Sequence, residues 1–349
     1  MRNALSIARR VITQIGMDGR TLALIIAAPL VMITLLWVVI NGGLATPTIA
    51  LNGSTPASFR EALGKNARVI EASSAEEGLA LVRDEKADAL LDYGSTPARL
   101  VIDGADPSVT ATVGRAVQKT GFSVMSTIPM LKNLMGNVQP KVELLHGSEN
   151  GTAVDFIAPV MMGFVVFFFV FILSAISFLR ERTTGTLARI LVTPATPMQL
   201  VVGYMLGFGL FAAVETVLIQ VFTIRVLGIP ALGSFLEILV MNIALCLVAL
   251  SMGSFVSAFA QNEFQVLQFI PIVILPQVLF SGILDLREAP AWVQALSKIF
   301  PLTYGGHALR ELMLRGRSLL SLWVDLVVVL GFAALFVGLN TLSLRRAKA

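Results

Sequence analysis

The 349-residue chain is 56% hydrophobic and 14% charged, far from the roughly 25% charge of a water-soluble domain, and its mean hydropathy of +0.81 puts it in the membrane class. A net charge of +4 does not point to nucleic acid, because the basic residues stand in small groups at the ends of apolar blocks, as cytoplasmic flanks of membrane helices do. The single cysteine, Cys246, excludes an intrachain disulfide.

Residues 1–20 form a basic, moderately amphipathic start with Arg2, Arg9, Arg10 and Arg20. No charge occurs from 22 to 40, and a hydrocarbon core of about 30 Å needs about 20 such residues, so a first span is predicted. A signal peptide cut near Leu44-Ala45 is the rival reading, although its apolar region usually runs to about 7–15 residues. A long polar stretch follows. Thr48-Ile49-Ala50-Leu51 reads as a strand ending in Asn52-Gly53, and Ala67-Arg68-Val69-Ile70 as a second. Ser73-Ser74-Ala75-Glu76 is a capping-box start for a helix carrying Leu79, Leu81 and Val82. Residues 87–92 and 99–103 supply two more strands, and 107–135 has a helical pattern. Alternating strands and helices predict a small, partly parallel α/β sheet. Its charges are near balance, with ten Lys/Arg and twelve Asp/Glu over 42–152, so it announces no strongly charged ligand.

Five more apolar blocks follow, at 156–179, 200–224, 236–260, 266–284 and 322–344. Between the last two, segment 285–320 is broken by Pro290, Pro301 and Gly305-Gly306. Its Trp292, Val293, Leu296, Ile299 and Phe300 read as a re-entrant helix that dips partly into the membrane. The expected fold is a polytopic α-helical membrane protein of six transmembrane helices, with a small α/β extracytoplasmic domain inserted between spans one and two. Its parts are 1–41 (cytoplasmic N-terminal segment and first span), 42–152 (the external domain) and 153–349 (spans two to six). A cytoplasmic N-terminus places 1–20, 180–199, 261–265 and 345–349 inside, pieces that hold ten Lys/Arg against three Asp/Glu, as the positive-inside tendency asks. Arg287, Lys298, Arg310, Arg315 and Arg317 then fall on the far side, against that trend. Both termini are expected in the cytoplasm.

Enzyme motifs are missing. There is no phosphate loop and no nucleophile elbow, and His146 and His307 lack a second ligand at metal spacing. The chain is expected to bind no cofactor or metal of its own and to be no enzyme by itself, leaving any chemistry to another subunit. The polar loop 180–199 is the informative segment. Leu187, Ile190 and Leu191 fall on one helical face, and Thr193-Pro194 ends the helix because a residue before proline disfavours the α region. Periodicity leaves two readings open: a solvated connector with anchoring arginines, or a short amphipathic helix along the membrane surface.

This loop, with Arg180-Glu181, Gly185-Thr186-Leu187 and Leu191-Val192-Thr193-Pro194, resembles the cytoplasmic loop of the type-2 ABC transporter permeases. Phe280-Ser281-Gly282, Pro290 with Trp292, and Phe300-Pro301-Leu302-Thr303-Tyr304 resemble that family's external segment between spans five and six. The order of one span, a large external domain and five further spans is similar to one branch of it. The resemblance implies a permease subunit of an ATP-driven exporter in the bacterial inner (cytoplasmic) membrane. Two permeases would pair, as a homodimer or a related heterodimer, and separate cytoplasmic ABC ATPase subunits would carry ATP and Mg. Arg180, Glu181, Arg182, Gly185, Thr186, Leu187, Arg189, Leu191, Thr193 and Pro194 would couple to the ATPase. A hydrophobic or amphipathic cargo, drug-like or lipid, fits the apolar interior, and membrane lipid and a periplasmic adaptor are further candidate partners; nucleic acid is not. A membrane-anchored sensor whose external domain binds a ligand is the alternative, against which stands the lack of a downstream cytoplasmic domain.

Polar residues inside the spans are the remaining candidates. A carboxylate near the bilayer centre costs about 2.5–3.5 kcal/mol on insertion scales, so Glu215 should face protein or water. With Gln220 and Asn242 it reads as an interhelical hydrogen-bond set, as part of a substrate or ion path, or as buried at a dimer interface. Gly203-x-x-x-Gly207 permits close helix approach. In the external segment, Trp292, Phe300, Pro301 and Tyr304 read either as interface anchors or as a gate for substrate release.

Overall fold

A computed structural model describes residues 2–42, 46–53, 55–84, 86–92, 99–102, 112–121, 153–284 and 289–348. The chain divides into two compact units, one of 1–37 with 144–349 and the other of 38–143.

The smaller unit is a four-stranded sheet in the order β2-β1-β3-β4, from β1 (Thr48–Asn52), β2 (Arg68–Ala72), β3 (Ala89–Asp92) and β4 (Arg99–Ile102). β1 pairs in parallel with β2 and β3, with Ala50 opposite Ile70 and Leu90, and β4 runs antiparallel to β3. The period-two alternation of a strand sorts its residues onto two faces. Ile49, Leu51, Ala89 and Leu91 pack with Leu63 of α3 (Ala57–Gly64) and with Val113 and Ala116 of α5 (112–121). Ala50 and Leu90 pack with Val82 of α4 (Ala75–Arg83) on the other face. The strands and the partly parallel sheet match the sequence expectation, and of the expected helix over 107–135 only 112–121 lies within the described residues. The α4 cap sits one residue later than the sequence reading put it. Ser74 is the N-cap and accepts from the Glu77 amide, while the Glu77 carboxylate accepts from the Ser73 amide at 2.7 Å. That backbone hydrogen bond holds the Glu77 carboxyl below its ordinary pKa.

In the larger unit, α1 (Arg2–Gly16) buries Ala4, Ile7, Ala8, Val11 and Ile15 along one helical stripe. Six helices are long and apolar enough to cross a membrane, which makes the chain a polytopic helical membrane protein. They are α2 (Gly19–Gly42), α6 (Ala153–Thr183), α8 (Pro197–Val221), α9 (Phe235–Ser257), α10 (Glu263–Val278) and α13 (Trp323–Lys348). The spans of α6 and α9 are 72% and 56% buried and form the centre. Those of α2, α10 and α13 are only 11%, 22% and 17% buried, so their apolar surface is left for lipid or a second copy. Asn340 of α13 donates to the Ser251 carbonyl of α9 at 2.8 Å, tying the last span to the centre.

One helix end departs from the sequence reading. α6 does not stop at Leu179 but continues through Thr183, so Arg180-Glu181-Arg182 is the last turn of a helix and not part of a loop. The fifth span ends at Ile283, close to the expected 284, in a wide turn, Leu279–Ile283, in which Gly282 takes φ 90°, a conformation glycine adopts without a Cβ penalty. The segment after it carries two helices, α11 (Ala291–Ser297) and α12 (Pro301–Arg315).

Candidate functional site

The expected coupling residues gather at one end of the larger unit, and their side chains point in different directions. Glu181 is buried. It accepts from the Tyr204 hydroxyl of α8 at 2.7 Å and pairs with the Arg10 guanidinium of α1. Arg10 also lies 5.8 Å from the Tyr204 ring centre, within cation–π reach. Arg182 donates to the Ser257 carbonyl at 2.7 Å, at the C-terminus of α9, where the helix dipole favours a cation. Arg180 pairs with Glu263, the first residue of α10, at 2.8 Å. One helical turn thus fastens α6 to α1, α8, α9 and α10. A surface salt bridge such as Arg180–Glu263 is worth about 0–1 kcal/mol, so the buried contacts of Glu181 dominate.

Past this turn, Gly185 takes φ 73° and starts the short helix α7 (Thr186–Leu191). Leu187 is buried and holds α7 down, while Ile190 and Leu191 are half-buried. Thr193 closes it by donating to the Ile190 carbonyl at 2.6 Å, and Thr196 with Gln199 forms a capping box that starts α8. Arg189, Thr193 and Pro194 are exposed, and Val192 is 87% exposed at the tip. A groove of about 280 Å³ runs between α7 and α1, walled by Asn3, Ile7, Arg10, Ile190 and Pro194.

Gly203 and Gly207 receive α1 and no second span. A Cβ at Gly203 would lie 2.8 Å from the Ala4 carbonyl oxygen, and one at Gly207 would lie 2.7 Å from Val11 Cβ.

The intramembrane polar residues divide. Asn242 donates to Gln220 Oε1 at 3.0 Å, and Gln220 donates to the Phe235 carbonyl at 2.8 Å, so these two link α8 to α9. Glu215 is buried one or two turns away, and its Oε1 has no hydrogen-bond partner among the described residues.

At the opposite end, Phe300 stacks on Phe280 with ring centres 4.9 Å apart, and Pro301 starts α12 buried at the position that tolerates a missing amide hydrogen. Tyr304 donates to the Lys298 carbonyl at 3.2 Å, whereas Trp292 is exposed. Gln277, absent from the sequence candidates, accepts from the Leu302 amide at 3.1 Å while itself buried. Arg10, Tyr204 and Gln277 were missed because none belongs to a motif. The only signal for Tyr204 and Gln277 is that a polar group inside an apolar block must find a partner, and Arg10, in the basic start, has not even that.

Comparison with known proteins bears on the whole of this arrangement. The family model described as ABC-2 family transporter protein matches residues 20–342. The chain is 27% identical over 213 residues to ABC transporter G family member 20 of Dictyostelium discoideum, a match covering 60% of this chain and 29% of that protein. It is 27% identical over 177 residues to the probable multidrug ABC transporter permease YbhS of Escherichia coli (strain K12), and 28% identical over 178 residues to the inner membrane transport permease YhhJ of the same strain. Both of these matches cover 50% of this chain and 47% of the relative, so the chain spans half or less of the length of these relatives.

Proposed function

Because the chain belongs to the ABC-2 family of transporter proteins, we propose that it is the membrane permease of an ATP-driven exporter, working as a pair and driven by separate ATPase subunits that hold ATP and Mg. The observation that carries the reading is the contrast between the fastened turn Arg180-Glu181-Arg182 and the outward tip Arg189, Val192, Thr193 and Pro194. An ATPase pressing on α7 pushes a short lever whose root is pinned to four other helices. Its displacement therefore passes into the bundle instead of being absorbed by a loose loop. Arg189 and the α7 tip form the docking surface, with polar contacts at the rim. Glu181 and Arg182 are positioning residues inside the permease.

The rest of the reading follows from chemistry already described. The basic groups near Arg180 and the termini support a cytoplasmic position for that end, and the reading takes the membrane as a bacterial inner membrane with the α/β unit outside. The apolar interior suits a hydrophobic or amphipathic cargo, and relatives include proteins named as probable multidrug ABC transporter permeases. Glu215, a buried carboxylate with an unpartnered oxygen, is the ionisable residue of the path, whereas Gln220 and Asn242 hold the bundle together through their amide donors, although Asn242 Oδ1 is also unpartnered among the described residues. Trp292, Phe300, Pro301 and Tyr304 belong to the exit.

The test is co-purification. Arg189→Glu combined with Val192→Asp should leave the thermal unfolding midpoint of the permease unchanged, yet abolish capture of its ATPase subunit and coupled ATP hydrolysis. Undiminished capture would overturn the docking assignment. Charge reversal at Glu181 or Arg182 is a poor substitute, because it breaks contacts within the permease itself.

A further inference from the structure

The end of the larger unit away from Arg180 contains a cavity of about 510 Å³, inside the range of roughly 300–1,000 Å³ in which small-molecule sites fall. It lies between the start of α6, the wide turn that ends α10, and helices α11 and α12. Its walls are of two kinds. Phe156, Phe280, Ile283 and Leu284 supply an apolar side, and Lys298, Arg310 and Arg315 supply a basic one.

The basic groups are differently occupied. Arg315 and Arg317 share Glu311 at 2.7 and 3.2 Å, and Glu311 is the single carboxylate among the described lining residues. Arg310 lies 4.0 Å from the centre of the Phe156 ring and donates to the Gly282 carbonyl at 2.5 Å. Its planar fork is thereby held in one orientation before any ligand arrives, which lowers the entropy lost on binding. Lys298 is exposed at the rim and its ammonium has no partner among the described residues. A pre-oriented guanidinium, a free ammonium and an aromatic wall recognise an anion attached to an apolar chain.

We propose that this cavity binds an amphiphile with a phosphate or carboxylate head, the head meeting Lys298 and Arg310 and the chain lying along Phe280 and Ile283. Two sources share this chemistry: a phospholipid of the bilayer that seals the cavity, and an exported molecule on its way out. The proposal names a ligand class for the exporter reading, but binding requires neither ATP nor an ATPase, so each can fail without the other.

The experiment uses the full chain purified in dodecyl maltoside and native mass spectrometry. Phosphatidylglycerol should be retained in preference to phosphatidylcholine, and dodecyl phosphate should displace it where inorganic phosphate at equal concentration does not. Lys298→Glu should weaken phosphatidylglycerol retention about tenfold, the loss expected for one charge-assisted hydrogen bond. Lys298→Arg should keep it, and Arg346→Glu, at the far terminus, should not alter it. An unchanged unfolding midpoint excludes misfolding of Lys298→Glu. The mass of the species bound to the chain as isolated from cells tells the sources apart: a phospholipid mass identifies a sealing lipid, and any other anionic amphiphile identifies cargo. Equal retention of the two lipids by the unsubstituted chain, or undiminished phosphatidylglycerol binding by Lys298→Glu, would overturn the proposal.

Discussion

At the scale of single residues, Glu181 decides how much of the Arg180 end holds together. Its buried carboxylate accepts from both Arg10 and Tyr204, and hydrogen bonds to a charged group are worth about 1.5–3 kcal/mol. Glu181→Ala should therefore lower stability by about 2–3 kcal/mol, read as an earlier unfolding transition in detergent. Glu181→Gln should recover part of the loss, because its amide oxygen still accepts from Tyr204. In combination with Arg10→Ala the losses should be less than additive, since both substitutions delete one interaction; full additivity would show that the pair is not coupled. The sequence made Glu181 legible as a member of a motif, but not the direction of its side chain. That direction depends on α6 running one turn further than hydropathy suggested, and hydropathy sees only where apolar residues end. Arg182 is concealed for a related reason, because its acceptors are the backbone carbonyls of Ser257, the last residue of α9, and of Ala260 just beyond it, which no residue type announces.

At the scale of elements, α1 is held by shape more than by polar contacts. The notch made by Gly203 and Gly207 leaves no room for a side chain, and forcing extra carbons into a packed contact costs about 1–3 kcal/mol. Gly207→Leu should displace α1 from α8. The outcome to measure is faster protease cleavage within residues 2–16, with the remaining helices still resistant; unchanged protection would show that α1 is anchored elsewhere. The spans and strands were legible: the six apolar blocks all became helices, and the strands of the α/β unit lie close to the segments read as strands. The sequence missed α3 and α12 as helices, and it missed ends and partners. The α4 cap shifted by one residue because Ser73 and Ser74 are both competent caps, and only the backbone decides between them. The glycine pair read as a site of close helix approach, which it is, but nothing in the sequence showed that the partner is α1, almost two hundred residues away in the chain.

At the scale of the whole molecule, the sidedness argued from charge is open to direct measurement. In a chain with Cys246→Ala, a cysteine in place of Val192 should react with a membrane-impermeant maleimide only after the cells are permeabilised. A cysteine in place of the exposed Glu61 of the α/β unit should react in intact cells. The reverse pattern would invert the topology and remove the ATPase-facing role of α7. The low burial of α2, α10 and α13 fits a protein whose outer helices meet lipid or a second copy while α6 and α9 form its centre.

The distance along the chain between α1 and its notch has a consequence for synthesis. Asn3 hydrogen-bonds to Gln199 across 196 residues, so the ribosome completes α1 long before the surface that receives it exists. During that interval the apolar stripe of Ile7, Val11 and Ile15 has nowhere to go but the lipid headgroup layer, which suits a basic amphipathic helix. Helix α1 therefore waits on the membrane and is captured only when the third span arrives. That order makes docking of α1 a natural marker that insertion has advanced correctly.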